Sequence, residues 1–218
     1  LAADGSPTCW GVDLGSDYGQ STPPPGTWVS LSVGSHHTCG IDTEGRATCW
    51  GRSEFGQIDV PDLRWSFIDG GKFATCGLDL DSELHCWGEN QAGETEPPSG
   101  RFTTFSMGES SGCAVDSAGR LSCWGQAEDI EPAPSGQFAQ VSCGKSACCA
   151  LDGEGVQTCW GNDLFGQTSP PPDALRNVSC GSRHCCGITL DEGLPICWGS
   201  NEIPEGDFVG QATPPDGI

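Results

Sequence analysis

The chain has 218 residues, of which 33 are glycine, 16 proline and 15 cysteine, and only 35% are hydrophobic. Thirty acidic residues against nine basic ones leave a net charge of −21, which repels nucleic acid and anionic lipid and argues against both as partners. No stretch approaches the ~18 apolar residues of a membrane-spanning helix, so no membrane insertion is expected.

In chain order, the first feature is Cys9-Trp-Gly, and the same tripeptide recurs at Cys49, Cys86, Cys123, Cys159 and Cys197. Successive copies lie 40, 37, 37, 36 and 38 residues apart, and a period in this range marks one supersecondary unit stacked many times. Residues 1–27 read as a partial unit, with full units at 28–64, 65–101, 102–137, 138–174 and 175–218. Each full unit opens on a large apolar residue (Trp28, Trp65, Phe102, Phe138, Leu175) and a short strand-like stretch. A glycine and then a cysteine follow. In the unit at Trp28, Thr38-Cys-Gly-Ile-Asp42 meets the loop Thr43-Glu-Gly45 and then Arg46-Ala-Thr-Cys-Trp50, which is a hairpin signal. Gly-Gln and Pro-Pro segments close the unit, where proline suits a turn or an edge. Helical periodicity is absent, so each unit reads as an antiparallel meander of three or four strands. The expected fold is all-β: a β-propeller of blades of about 36–40 residues, with six repeats visible and six or seven blades if the ring closes. A linear β-solenoid is the competing architecture.

The cysteines fall into a pattern. Cys39 and Cys49, Cys76 and Cys86, Cys113 and Cys123, and Cys149 and Cys159 are ten apart; Cys186 and Cys197 are eleven apart. In a hairpin centred on the glycine loop these positions face each other at about 4.5 Å between Cα atoms, within disulfide range. Cys143 with Cys148 and Cys180 with Cys185 close two smaller loops, and neighbours such as Cys148 and Cys149 face opposite ways on a strand. Seven bridges leave Cys9 unpaired. Its partner is expected just before Leu1, which suggests that the chain is part of a longer protein. So many cysteines point to an oxidising compartment: extracellular or cell surface. Zinc wants closer-set pairs, so no metal is expected at these cysteines.

Other candidate chemistry is thin. The acids are scattered (Asp79, Asp81, Glu83; Glu128, Asp129, Glu131; Glu202, Glu205, Asp207) and read as a solvated surface. Calcium at Asp79, Asp81 and Glu83 is conceivable, though that stretch coincides with a hairpin turn. Trp10, Trp50, Trp87, Trp124, Trp160 and Trp198 could stack on sugar but fit packing between blades. His37 and His184 are equivalent in their units and read as strand residues bonding the next blade; His36 and His85 are not equivalent. No nucleophile elbow, phosphate loop or zinc-protease motif occurs, so neither an enzyme nor a cofactor is expected. Asn177-Val-Ser179 is an N-glycosylation sequon.

The series Phe or Trp, Val-Ser-x-Gly, His-x-Cys-Gly, Asp-x-x-Gly, Cys-Trp-Gly, Gly-Gln, Pro-Pro resembles the repeat of the regulator-of-chromosome-condensation superfamily over nearly the whole chain. Nearest in character are the cysteine-bearing repeats of crinkly-type plant receptor kinase ectodomains and of bacterial extracellular proteins. Secreted propeller-type β-lactamase inhibitors look like a cysteine-poor cousin. The resemblance implies a propeller that binds another protein or further copies of itself. It does not carry over nuclear exchange-factor activity, for which no segment is found. The expected function is an extracellular, non-enzymatic recognition or assembly module. Specificity is expected in 11–27, 51–62, 88–99, 125–136, 161–174 and 199–217. The alternatives are a structural repeat domain of a surface or appendage filament, and a carbohydrate-binding propeller lectin.

Overall fold

The computed structural model describes residues 1–9, 17–126, 130 and 132–201. All regular structure among them is β. Five three-stranded antiparallel sheets follow one another, each in simple chain order. They are β1 (Trp28–Val33), β2 (His37–Asp42) and β3 (Ala47–Gly51); β4 (Trp65–Gly70), β5 (Ala74–Asp79) and β6 (Leu84–Gly88); β7 (Phe102–Met107), β8 (Ser111–Asp116) and β9 (Leu121–Gly125); β10 (Gln140–Cys143), β11 (Ala147–Leu151) and β12 (Gln157–Gly161); and β13 (Leu175–Cys180), β14 (His184–Thr189) and β15 (Pro195–Gly199). The chain forms two compact units. One holds Leu1–Phe102, Glu109–Ser111 and Trp124–Gln126; the other holds Thr103–Gly108, Gly112–Cys123 and the described residues from 130 onward.

Four of the five described hairpins between second and third strands, all but the one between Thr189 and Leu194, are built the same way. An aspartate opens the loop and its Oδ1 accepts two backbone N–H groups: Glu44 and Arg46 on Asp42, Asp81 and Glu83 on Asp79, Ala118 and Arg120 on Asp116, and Glu154 and Val156 on Asp152. These bonds, led by those from Arg46 and Arg120, hold the Asp42 and Asp116 carboxyls below the usual carboxylate range. The third loop residue takes a left-handed conformation, with φ of 75° at Gly45, 67° at Ser82, 78° at Gly119 and 83° at Gly155. Its carbonyl accepts the N–H of the residue that opens the next sheet: Trp65 on Gly45 (2.8 Å), Phe102 on Ser82 (2.9 Å), Phe138 on Gly119 (2.8 Å) and Leu175 on Gly155 (2.9 Å). A local turn thus sets where the following sheet begins.

The cores lie between successive sheets. In the first unit Cys39, Ile41 and Cys49 pack on Trp65, Ile68 and Trp87; in the second, Cys149 and Leu151 pack on Leu175, Val178, Cys185 and Trp198. A β-bulge early in the first strand, between Trp65 and Phe67 and between Leu175 and Asn177, turns two consecutive residues outward so that both Trp65 and Ile68, or Leu175 and Val178, face in. The opening tryptophan leaves no room for a side chain opposite it. A Cβ on Gly77 would lie 2.5 Å from Trp65 Cε3, and one on Gly40 would lie 2.6 Å from Trp28 Cε3. Where the sheet opens on phenylalanine (Phe102, Phe138), the same position is Ala114 or Ala150.

Two outcomes follow. Gly77→Ala should destabilise by about 1–3 kcal/mol through overpacking, and Trp65→Phe in the same molecule should recover most of that loss. Chemical denaturation of the two single variants and the double variant reads the coupling. Ser82 occupies a left-handed position without being glycine, so Ser82→Gly should raise stability by about 0.5–1 kcal/mol.

Candidate recognition surface

The repeated tryptophans tie each sheet to the loop that precedes it. Trp50 Nε1 donates to Gln20 O (2.9 Å), Trp87 to Gln57 O (3.0 Å), Trp124 to Glu94 O (2.9 Å), Trp160 to Ile130 O (2.7 Å) and Trp198 to Gln167 O (2.9 Å). Trp50, Trp87, Trp124 and Trp198 are buried and Trp160 is half-buried, so these indoles are not platforms for a sugar. Trp10 lies outside the described residues. Three of the loops they hold carry the Gly-Gln motif, whose side chain closes its own turn: Gln20 Oε1 accepts the N–H of Tyr18, Gln57 Oε1 that of Phe55 and Gln167 Oε1 that of Phe165.

A second recurring bond brings this loop end together with the turn between first and second strands. The residue after Cys-Trp-Gly donates its N–H to the turn carbonyl: Arg52 to His36, Glu89 to Phe73, Gln126 to Ser110, Asn162 to Ser146 and Ser200 to Arg183, all at 2.8–2.9 Å. The backbone is constant while the side chains at both positions change from copy to copy. In the first unit they gather into one cluster. Tyr18 meets His36 edge-on (ring centroids 5.6 Å), His36 stacks on Phe73 (5.7 Å) and Phe55 tilts against Phe73 (5.1 Å). The Arg52 guanidinium lies 5.0 Å from the Tyr18 centroid and 4.9 Å from that of Phe73, and is paired with Glu54. Lys72 Nζ lies 5.5 Å from the Phe73 centroid and pairs with Glu109. Tyr18 and Phe55 are 40% and 38% exposed, enough to meet a partner while fixed by their neighbours. In the second unit Arg183 covers Phe165 at 4.5 Å, with Leu164 exposed beside it.

The variable stretches expected from sequence contain Tyr18, Arg52, Phe55, Leu164 and Phe165. Sequence reasoning missed His36, Phe73 and Arg183, which stand 16 or 17 residues from the loop they touch. The available signal was the change of residue type between the turn glycine and the following cysteine. Residues 10–16, 127–129, 131 and 202–218 lie outside the described part, including Glu128, Asp129, Glu131, Glu202, Glu205 and Asp207.

The remaining candidate residues are placed as follows. Disulfides join Cys39 to Cys49, Cys76 to Cys86, Cys113 to Cys123, Cys143 to Cys148, Cys149 to Cys159, Cys180 to Cys185 and Cys186 to Cys197. The clusters Cys113, Cys143, Cys148 and Cys149, Cys180, Cys185 have metal-like spacing, but every sulfur in them is disulfide-bonded. Cys9 is a free, half-buried thiol in a recess of about 300 Å³ with Gln20, Leu31 and Thr38. Asp79 lies near Glu83 and His85, with one carboxylate oxygen taking the turn N–H groups of Asp81 and Glu83 and the other bonded to His85 Nε2 (2.9 Å). Asn177 is exposed on β13.

His37 is fully buried. Thr75 Oγ1 donates to Gln57 O (2.7 Å), so it accepts from His37 Nε2–H (2.8 Å), which fixes the neutral tautomer with Nδ1 bare and without a partner among the described residues. Burial pushes the His37 pKa down to about 4, with His36 adding repulsion, and burial also lowers that of His184.

Because the folded state resists protonating His37, the stability it confers is complete above the unfolded pKa of 6.5 and is lost as pH falls toward 4. The loss from this group should reach roughly 3 kcal/mol. Denaturation of the parent and a His37→Gln variant across pH 7 to 4, taken as a difference, should show it; parallel curves would refute it.

Residues 28–57, from Trp28 to Gln57, match the family model of the Regulator of chromosome condensation (RCC1) repeat. No curated protein matches the chain. Among solved structures, the CRINKLY WD40 ectodomain of the Arabidopsis thaliana receptor kinase ACR4 is 28% identical with a TM-score of 0.69, covering 82% of this chain and 68% of that one. The entire ectodomain of the Physcomitrella patens receptor kinase CR4 is 25% identical with a TM-score of 0.70, covering 81% of this chain; the chain spans 51% of that ectodomain. Prp20p from Saccharomyces cerevisiae is 16% identical with a TM-score of 0.68, covers 79% of this chain and 57% of its own, and supports the fold alone. The fold is therefore all-β and propeller-like, with one disulfide in each described hairpin. No helix among the described residues is long and apolar enough to cross a membrane. One repeat, residues 28–57, thus matches the RCC1 repeat, and the chain is similar to the crinkly-type receptor ectodomains.

Proposed function

We propose that the chain is an extracellular, non-enzymatic recognition module, a single propeller domain that binds another protein through the loop end of its blades. The observation that carries this is the cluster of Tyr18, His36, Arg52, Phe55 and Phe73, in which partly exposed rings and a guanidinium are held by backbone bonds that recur in every described blade. Aromatic and arginine side chains are the residues that anchor protein interfaces. Anchors fixed before binding lose little freedom on association, so more of the contact energy appears as affinity. Seven disulfides suit an oxidising compartment, and the similarity to two receptor kinase ectodomains supports the same placement.

Proximity labelling on the producing cells would nominate the partner, and binding would then be measured with both proteins pure. Arg52→Ala, Phe55→Ala and Phe73→Ala should each weaken binding about tenfold or more. Thr43→Ala and Glu44→Ala, in a hairpin loop at the other end of the sheet, should leave it unchanged. Equal melting temperatures would establish that the loss is one of contact, and unchanged affinity in the triple variant would overturn the proposal.

A further inference from the structure

We infer that Asn177 is an N-glycosylation site, carrying an oligosaccharide joined through its side-chain nitrogen. The inference rests on the extracellular reading above, because the modification occurs in the secretory lumen. Asn177-Val-Ser179 is the only such sequon in the sequence. The structure adds what the triplet cannot supply.

Asn177 sits at the β-bulge of β13, where Arg176 and Asn177 both face solvent between the buried Leu175 and Val178. Its Oδ1 accepts the backbone N–H of Ile188 (3.1 Å), while its Nδ2 has no partner among the described residues. The fold therefore uses the atom that glycosylation leaves intact and presents the one that reacts. In that reaction one Nδ2–H bond is lost and Nδ2 bonds to the anomeric carbon of a polyprenyl-diphosphate-linked oligosaccharide. The bond from that carbon to the phosphate oxygen breaks, the diphosphate leaves with the electron pair, and the proton passes to a base. Afterwards the amide still accepts from Ile188.

The repeat does not demand asparagine here. The equivalent residues are Ser30, Phe67, Thr104 and Gln140, so the bulge accepts varied side chains. Serine two positions on is repetitive, since Ser32, Ser106 and Ser142 occupy the same place and bond the next sheet. The hydroxyl of Ser179 has no partner among the described residues and is exposed. Asn177 lies near the start of β13, beside the hairpin-loop end where Arg176 Nη2 donates to Leu190 O (2.9 Å). The turn carrying Arg183 is at the other end of the same sheet, so a glycan here leaves the recognition end of its blade uncovered.

The test is expression of the full chain behind a secretion leader in eukaryotic cells. Intact mass is compared before and after peptide N-glycosidase, and peptides are mapped after deglycosylation in heavy-oxygen water. Most molecules should carry one removable glycan on Asn177, absent in Asn177→Gln and in Ser179→Ala and retained in Ser179→Thr. Glycosylated and Asn177→Gln chains should melt alike, as expected of a surface substitution. Unmodified Asn177 in disulfide-bonded chain, whether from medium or from the secretory lumen, overturns the inference. A glycosylated chain that fails to leave the cell establishes the glycan and counts instead against the extracellular reading.

Discussion

The indole N–H of each described Cys-Trp-Gly tryptophan, bonded to a carbonyl about thirty residues upstream, is the interaction on which the architecture depends. One side chain fills the seam between sheets and also fixes the loop leading into its own sheet. A buried N–H without an acceptor is costly, as is a loop carbonyl without a donor, and here each satisfies the other. Without that bond the loops bearing Arg52, Phe55 and Phe165 would lose a tether midway along their length.

Around this fixed point the repeats vary in compensating ways. Glycine faces the tryptophans at Gly40 and Gly77 and Leu175 at Gly187, whereas alanine stands opposite phenylalanine at Ala150. The tether between second strand and loop also has two forms. In the first unit Thr38 and Thr75 donate hydroxyls to Gln20 O and Gln57 O. In the second unit the same position is Gly112, which has no side chain to tether, or Cys148 or Cys185, each bonded instead to the first strand of its own sheet at Cys143 or Cys180. The sulfurs of Cys113 and Cys148 approach to 4.0 Å and those of Cys149 and Cys185 to 3.8 Å, so these bridges also pack the seam between sheets.

The candidate site is the exception to this constancy. Its backbone bonds repeat in every described sheet, yet His36, Phe73, Ser110, Ser146 and Arg183 share one turn position, and Arg52, Glu89, Gln126, Asn162 and Ser200 share the other. Side chains that change over an invariant backbone are what a recognition surface requires, since specificity can be altered without touching the fold.

Sequence alone determined the unit, its all-β character and the hairpin with its disulfide. These are short-range matters: Asp-x-x-Gly sets the loop, period-two geometry places Cys39 opposite Cys49, and ten residues suffice to see both. The variable loops were legible for the same reason, as gaps between copies of a motif. Sequence could not show that Phe73 lies between Phe55 and His36 or that Arg52 bridges Tyr18 and Phe73, because those contacts join residues from successive repeats. Nor could it show that His37 reaches Thr75, 38 residues away, or that Asn177 Oδ1 accepts from Ile188 while its nitrogen has no partner among the described residues. Only the packing of one sheet against the next decided which side chains meet. That packing follows from ring volume, burial and hydrogen-bond satisfaction in three dimensions, which no spacing along the chain encodes.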